Sequence, residues 1–239
     1  MISKQQSIRD ILTHNHQLEP VLERFDLRYS ASTEGLAHRS HGKGQDLDFL
    51  IDMLRVFDAE DTFDALSLRQ YPMPVILDYL YRTHDFYRQQ RLGEIEQSIE
   101  GLLRHCGEAK PLLMLLRPAF EQYERHLLAH MNEEETALFP YLSYLHHAHT
   151  YGRYYANRVF PQRPACDLGD FQHDHEEEDA ARTLDVLLET ILRDHPEVQQ
   201  MMAFQILQTQ LSQFRQDLRI HEAVENHVLL PKARDMEKV

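Results

Sequence analysis

Apolar residues recur at helical spacing along most of the chain, and the intervals between the runs are polar. Ile8, Ile11, Leu12, Leu18, Val21, Leu22 and Phe25 mark a first pair of short helices, interrupted near His14-Asn15-His16. A polar loop from Ser30 to Gly44 precedes a second amphipathic run, Leu47 to Phe57. Four longer stripes follow. The first holds Ile76, Leu77, Leu80, His84, Leu92, Ile95, Ile99 and Leu102, on a helix predicted from about Pro74 to His105. The second holds Phe120, Tyr123, Leu127, His130, Glu134, Leu138 and Leu142, on a helix from about Lys110 to His146 that Pro140 should kink or end. Ala180, Leu184, Leu187 and Ile191 mark a third helix, from about Leu168 to Arg193. Phe204, Leu207, Leu211, Phe214, Leu218, His221, Glu225 and Leu229 mark a fourth, from about Val198 to Lys232. The pattern predicts an all-α protein: a small helical N-terminal domain over residues 1–62, an acidic linker containing two prolines, and a four-helix bundle over 70–239. The segment from Tyr144 to Asp170, with His146, His147, His149 and a cluster of tyrosines, reads as an irregular cap over one end.

One stretch occurs twice. His130-x3-Glu134 runs on through three residues to Leu138-Phe139-Pro140, and His221-x3-Glu225 runs on to Leu229-Leu230-Pro231. Residues four apart on a helix share a face, so each copy offers an imidazole and a carboxylate pointing the same way. A core-facing histidine precedes each copy at the same interval: His84 lies 46 residues before His130, and His175 lies 46 residues before His221. On the third helix the spacing and Phe171 one turn upstream point to His175. The apolar residues downstream are instead in phase with His173. Residues two apart face nearly opposite ways, so only one of the two can join a common site, and the interval selects His175.

Composition narrows the chemistry. The chain has 239 residues, 42% of them apolar, and a net charge of −14, which argues against non-specific nucleic-acid binding. Two cysteines, Cys106 and Cys166, are too few for a disulfide framework or a Cys-rich metal site. No run is apolar enough to span a membrane, and MISKQQSIRDILTHNH lacks the apolar core of a secretory leader, which predicts a cytoplasmic protein. Sixteen histidines, by contrast, exceed what polar surface requires.

Four imidazoles and two carboxylates meeting at one place suit a pair of iron ions, with manganese as the alternative. Two ferrous ions carry four positive charges, and two glutamates with an oxo or hydroxo bridge balance them. Glu134 and Glu225 are therefore the bridging candidates, and the histidines the terminal ones. The outer ring nitrogens need acceptors, for which Asp85 or a neighbouring carboxylate is available. His126, one turn before His130, is a substitute ligand or a flanking group. Glu133, Glu135, Glu176, Glu177 and Glu178 read as a solvated acidic face, and His146, His147 and His149 as solvated loop. His221-Glu222-Ala223-Val224-Glu225 resembles the zincin helix but has Glu225 where that motif needs its second histidine. Ferritin-like bundles use Glu-x-x-His, which differs in order and spacing.

At these residues the chain resembles hemerythrin-like proteins, and more closely the RIC (repair of iron centres) family of bacterial di-iron proteins. The likeness runs through Leu77-Asp78, Thr83-His84-Asp85, His130-x3-Glu134-Glu135 and His221-x3-Glu225-Asn226, and covers nearly the whole length. It implies a hemerythrin-like four-helix bundle whose iron ligands are His84, His130, Glu134, His175, His221 and Glu225. It also implies a role in the nitrosative and oxidative stress response, supporting repair of damaged iron–sulfur clusters by iron supply or by handling NO and oxygen species. The implied partners are small diatomic or peroxide ligands and iron–sulfur proteins, with the chain a monomer or homodimer and no nucleic acid or membrane involved. Leu22-Glu-Arg-Phe-Asp-Leu-Arg-Tyr29 looks like the family's N-terminal domain, but Ser30-Ala31 stand where the family carries a cysteine pair. That departure favours a second reading, a non-catalytic di-iron O2, NO or redox sensor or iron-binding protein. Whether the chain turns over is left open between the two.

Overall fold

The computed structural model describes residues 2–28, 34–39, 44–58, 63–105, 110–162, 164, 166–169 and 175–238. The side chains of residues 39, 44–46, 105 and 175–180 lie outside the description. The protein is all-helical, and among the described residues the only β-type pairing is an isolated bridge between Ser7 and Gly35. No described helix is long and apolar enough to cross a membrane.

The helices are α1 (Ile8–His14), α2 (Glu19–Arg24), α3 (Leu36–Arg39), α4 (Gly44–Asp58), α5 (Ala65–Arg69), α6 (Met73–Phe86), α7 (Leu92–His105), α8 (Lys110–Leu113), α9 (Leu116–Glu133), α10 (Phe139–Tyr151), α11 (Arg153–Val159), α12 (His175–Asp194), α13 (Met202–Val224) and α14 (Leu230–Glu237). Three π turns, Tyr87–Arg91, Glu134–Leu138 and Glu225–Leu229, join α6 to α7, α9 to α10 and α13 to α14. The helix therefore does not end at Pro140: α10 takes over at Phe139, directly after the π turn. The chain divides into two compact units, one of Met1–Thr83, Tyr141–Pro164 and Asp217–Val239, the other of His84–Pro140 and Ala165–Gln216.

In the first unit, Ser7 caps α1 by accepting from the Asp10 N–H at 3.1 Å, and Asp64 caps α5 by accepting from Leu66 and Ser67. Ile8, Ile11, Leu18, Val21 and Leu22 from α1, α2 and the turn between them are buried, as are Phe49, Leu50, Met53 and Leu54 of α4. Phe49 meets Tyr71 and Tyr79 edge-on at 5.0 and 5.5 Å. Into this apolar setting the chain places a charge: Arg24 is fully buried, pairs with Asp217 of α13 and donates to the Tyr79 hydroxyl at 3.1 Å. Arg69 of α5 donates to the His227 carbonyl in the third π turn at 2.7 Å, and Lys232 donates to the Arg69 carbonyl at 2.9 Å.

The segment after Tyr144 is more regular than its composition suggests. Helix α10 runs to Tyr151, Gly152 breaks it with φ +88°, and α11 follows. His146 and His147 thus sit on a helix, and His147 packs against Tyr151, Tyr155 and Phe160 at ring distances of 5.8, 6.4 and 5.3 Å.

Gly35 has a stricter requirement than Gly152. Leu36 and Ala37 donate to the Gln6 and Lys4 carbonyls, which draws the backbone so close that a Cβ at Gly35 would lie 2.7 Å from the Gln5 oxygen. Backbone cannot yield as a flexible side chain does, so Gly35→Ala is expected to destabilise the chain by about 1–3 kcal/mol. Urea unfolding measures this, and a change below about 0.5 kcal/mol would show that the Lys4–Gln6 segment moves aside freely.

In the second unit, α9 packs against α12 and α7, and the short α8 closes against all three. Ile95, Ile99, Phe120, Leu127, Leu184, Ile191, Phe204 and Leu207 form its buried apolar surface. Phe214 receives the edges of Tyr87 at 5.1 Å and Tyr123 at 6.3 Å.

Candidate metal centre

Each copy of the repeated stretch folds the same way. The histidine lies in the last turn of a long helix, and the glutamate opens a π turn: Glu134 follows α9, and Glu225 follows α13. The closing bonds run from the Phe139 N–H to the Glu134 carbonyl and from the Leu230 N–H to the Glu225 carbonyl, five residues back. Both closing residues immediately precede a proline. Proline lacks an N–H and its ring crowds the carbonyl four residues earlier, so a widened turn ahead of it lets the helix continue.

The widening also keeps the core stripe in line. Glu134, Leu138 and Leu142 are buried at steps of four, as are His221, Glu225, Leu229 and Ala233. In a pure α-helix each step of four drifts by about 40°, so three steps would carry a side chain out of the core. One π turn absorbs that drift, and both glutamates stay inward. Placing carboxylates in such a position costs desolvation, which only a cation or hydrogen-bond donors can offset.

Within the second unit, the fully buried His84 is held at both ring nitrogens. Its Nε2 lies 3.4 Å from Glu134 Oε2, and its Nδ1 lies 2.8 Å from Glu135 Oε1. Arg88, one turn after His84, donates to the same Glu135 oxygen at 2.8 Å. Phe139 stacks on the His84 ring at 5.6 Å. His130 Nε2 approaches Glu134 Oε1 at 3.1 Å, the i,i+4 contact that the repeat predicts. The first unit carries the matching contact, His221 Nε2 to Glu225 Oε1 at 3.2 Å.

His84, Glu134, His221 and Glu225 are all buried, and one ligand atom from each lies within 4.8 Å of the others. This group could hold a metal ion. Its chemistry fits one: two imidazole nitrogens and two carboxylates form a mixed N/O donor set of charge −2, which first-row divalent cations accept and an apolar core does not. His130 stands beside Glu134 without belonging to the group of four. His175 begins α12, but its side chain and those of Glu176, Glu177 and Glu178 lie outside the description, as does the whole of His173. His126 is half-buried and outside the group.

The roles of Glu135 and Arg88 escaped the sequence reading. Glu135, expected on a solvated face, is only 21% exposed and is the acceptor for His84. Asp85, offered for that part, is 63% exposed and lies 3.7 Å from Arg88. The available signal was Arg88 four residues after His84, since a cation one turn from a core histidine calls for a carboxylate nearby. The chain matches no protein-family model and no curated protein.

Proposed function

We propose that the chain is a hemerythrin-like di-iron protein of RIC type, a helical bundle that supports repair of iron–sulfur clusters under nitrosative or oxidative stress. The observation that carries this reading is the buried His84, Glu134, His221 and Glu225 group, to which two copies of one His-x3-Glu, π turn and proline device contribute both glutamates and His221. His130 at 3.1 Å from Glu134 supplies a fifth donor, and the equal sequence interval supplies His175 as the sixth. More than four N/O donors with two carboxylates favour a pair of iron or manganese ions over a single tetrahedral zinc.

When bound, iron would supply redox chemistry and affinity for NO and oxygen species. The chain's own residues set the conditions. Glu134 and Glu225 bring negative charge to where cations would sit, and His84 presents Nε2 on that side while its other nitrogen is held by Glu135. Leu138 and Phe139 are buried next to Glu134 and keep water from that side. Ser30-Ala31, in place of the cysteine pair of the family that the chain resembles, favour a second reading as a di-iron sensor or iron-binding protein.

Anaerobic loading with ferrous iron, followed by metal analysis and a visible spectrum in air, tests the reading. About two irons per chain with new charge-transfer absorption is the expected result, and one tight zinc or no metal would overturn it. Repeated anaerobic NO consumption with a reductant then selects the enzyme, and a single stoichiometric adduct selects the sensor.

A further inference from the structure

In sequence, the two halves of the repeat differ in the residues that accompany their leading histidines. A neutral imidazole has one N–H and one lone pair, so a carboxylate that takes the proton at one nitrogen leaves the other free to bind a cation. His84 has such an acceptor in Glu135, itself tied down by Arg88, while its Nε2 looks toward Glu134. An anionic acceptor orients a ligand histidine and makes it a stronger donor, which a neutral amide does less well. In sequence the second copy keeps none of this: Asn226 stands where the first has Glu135, and Asp179 follows His175 at the interval at which Arg88 follows His84.

The π turn explains how Glu134 and Glu135 serve the same ring. Successive residues of an α-helix diverge by about 100°, which would send Glu135 to solvent. Both residues belong to the wider turn Glu134–Leu138, and their carboxylates meet the two nitrogens of one imidazole at 3.4 and 2.8 Å.

We propose that Glu135, anchored by Arg88, is a positioning residue that holds the His84 proton on Nδ1 and turns Nε2 inward, so that the two halves of the repeat bind metal unequally, the His84 half first and more tightly. The proposal rests on the metal-centre reading above and adds an order of filling to it. It gives the chain one firmly held ion and one more easily exchanged, as iron supply would use.

The test is anaerobic calorimetric titration of the metal-free full-length chain with ferrous iron. Wild type is expected to bind in two unequal steps. Glu135→Gln should weaken the tighter step about 10- to 100-fold and leave the other in place. Arg88→Met should act in the same direction, and Glu133→Gln, an exposed neighbour, should change neither step. A second readout needs no metal: the His84 Nδ1–H proton should resist exchange in the NMR spectrum of the wild-type chain and lose that protection in Glu135→Ala. Two equal steps in wild type, or wild-type affinities in Glu135→Gln, would overturn unequal filling. A protected Nδ1–H in a chain that takes up no iron would overturn the order of filling together with the metal reading, while confirming Glu135's hold on His84.

Discussion

Asp217→Leu should destabilise the chain by about 3–5 kcal/mol, the usual result of removing one partner from a buried ion pair. Arg24 is fully buried and the Asp217 side chain is only 6% exposed, so solvent cannot take over the charge that the substitution strands. The guanidinium lies over the rings of Phe57 and Tyr79 at 5.7 and 5.9 Å and donates to the Tyr79 hydroxyl. None of these neutralises it. Burial raises the Tyr79 phenol above its ordinary range, so that hydroxyl stays protonated and offers only an oxygen lone pair. Thermal unfolding should show a fall of roughly 6–20 °C for a chain of this size. The double variant Arg24→Met with Asp217→Leu removes both charges and should recover most of the loss, because apolar residues of similar volume replace buried ion pairs at little cost. A single variant within about 0.5 kcal/mol of wild type would show that water reaches the pair. Asp217 is one turn before His221 on α13, so the same substitution should also loosen that histidine.

Glu225→Gln is expected to act with opposite signs in the absence and presence of metal. Without metal the Glu225 carboxylate is a buried charge, and its neutral amide analogue should leave stability unchanged or raise it. With metal at about a hundred times its dissociation constant, wild type should gain about 2.7 kcal/mol from linkage, and Glu225→Gln should gain almost nothing. Glu134→Gln should behave alike, since Glu134 is buried on the same device in the first copy. Melting curves of the three proteins with chelator and with ferrous iron decide the matter. If both variants lose stability without metal, the carboxylates are structural hydrogen-bonding groups and the group of four is not built for a cation.

Sequence periodicity made most of the helices and the centre of the site legible, because both depend on local spacing. The stripes through Ile76, Phe120 and Phe204 are helical over their described parts. The repeated His-x3-Glu brings His130 to Glu134 and His221 to Glu225, which needs nothing but an i,i+4 relation. Glu135 was misread because its facing was taken from α geometry, whereas it sits in a π turn. The steps of four through His130, Glu134, Leu138 and Leu142 already signalled that widening. The Arg24–Asp217 pair was illegible for another reason. Its members are 193 residues apart, and no local pattern reports a partner at that range. The cap after Tyr144 was underestimated because its tyrosines and histidines, polar on a hydropathy scale, pack by their rings.

A π turn amounts to one residue inserted into an α-helix. Upstream and downstream of Glu134–Leu138 the chain therefore counts in two different frames, and the same holds around Tyr87–Arg91 and Glu225–Leu229. Converting one of these turns to plain α-helix without removing a residue would rotate everything beyond it by about 100°. After the second turn that rotation would carry Leu142 and Leu145 off the buried face, and after the third it would do the same to Ala233. Along these helices, then, the shape of the π turns is under tighter constraint than composition: the chain can exchange many side chains, but losing such a turn without losing a residue would change which way its neighbours face.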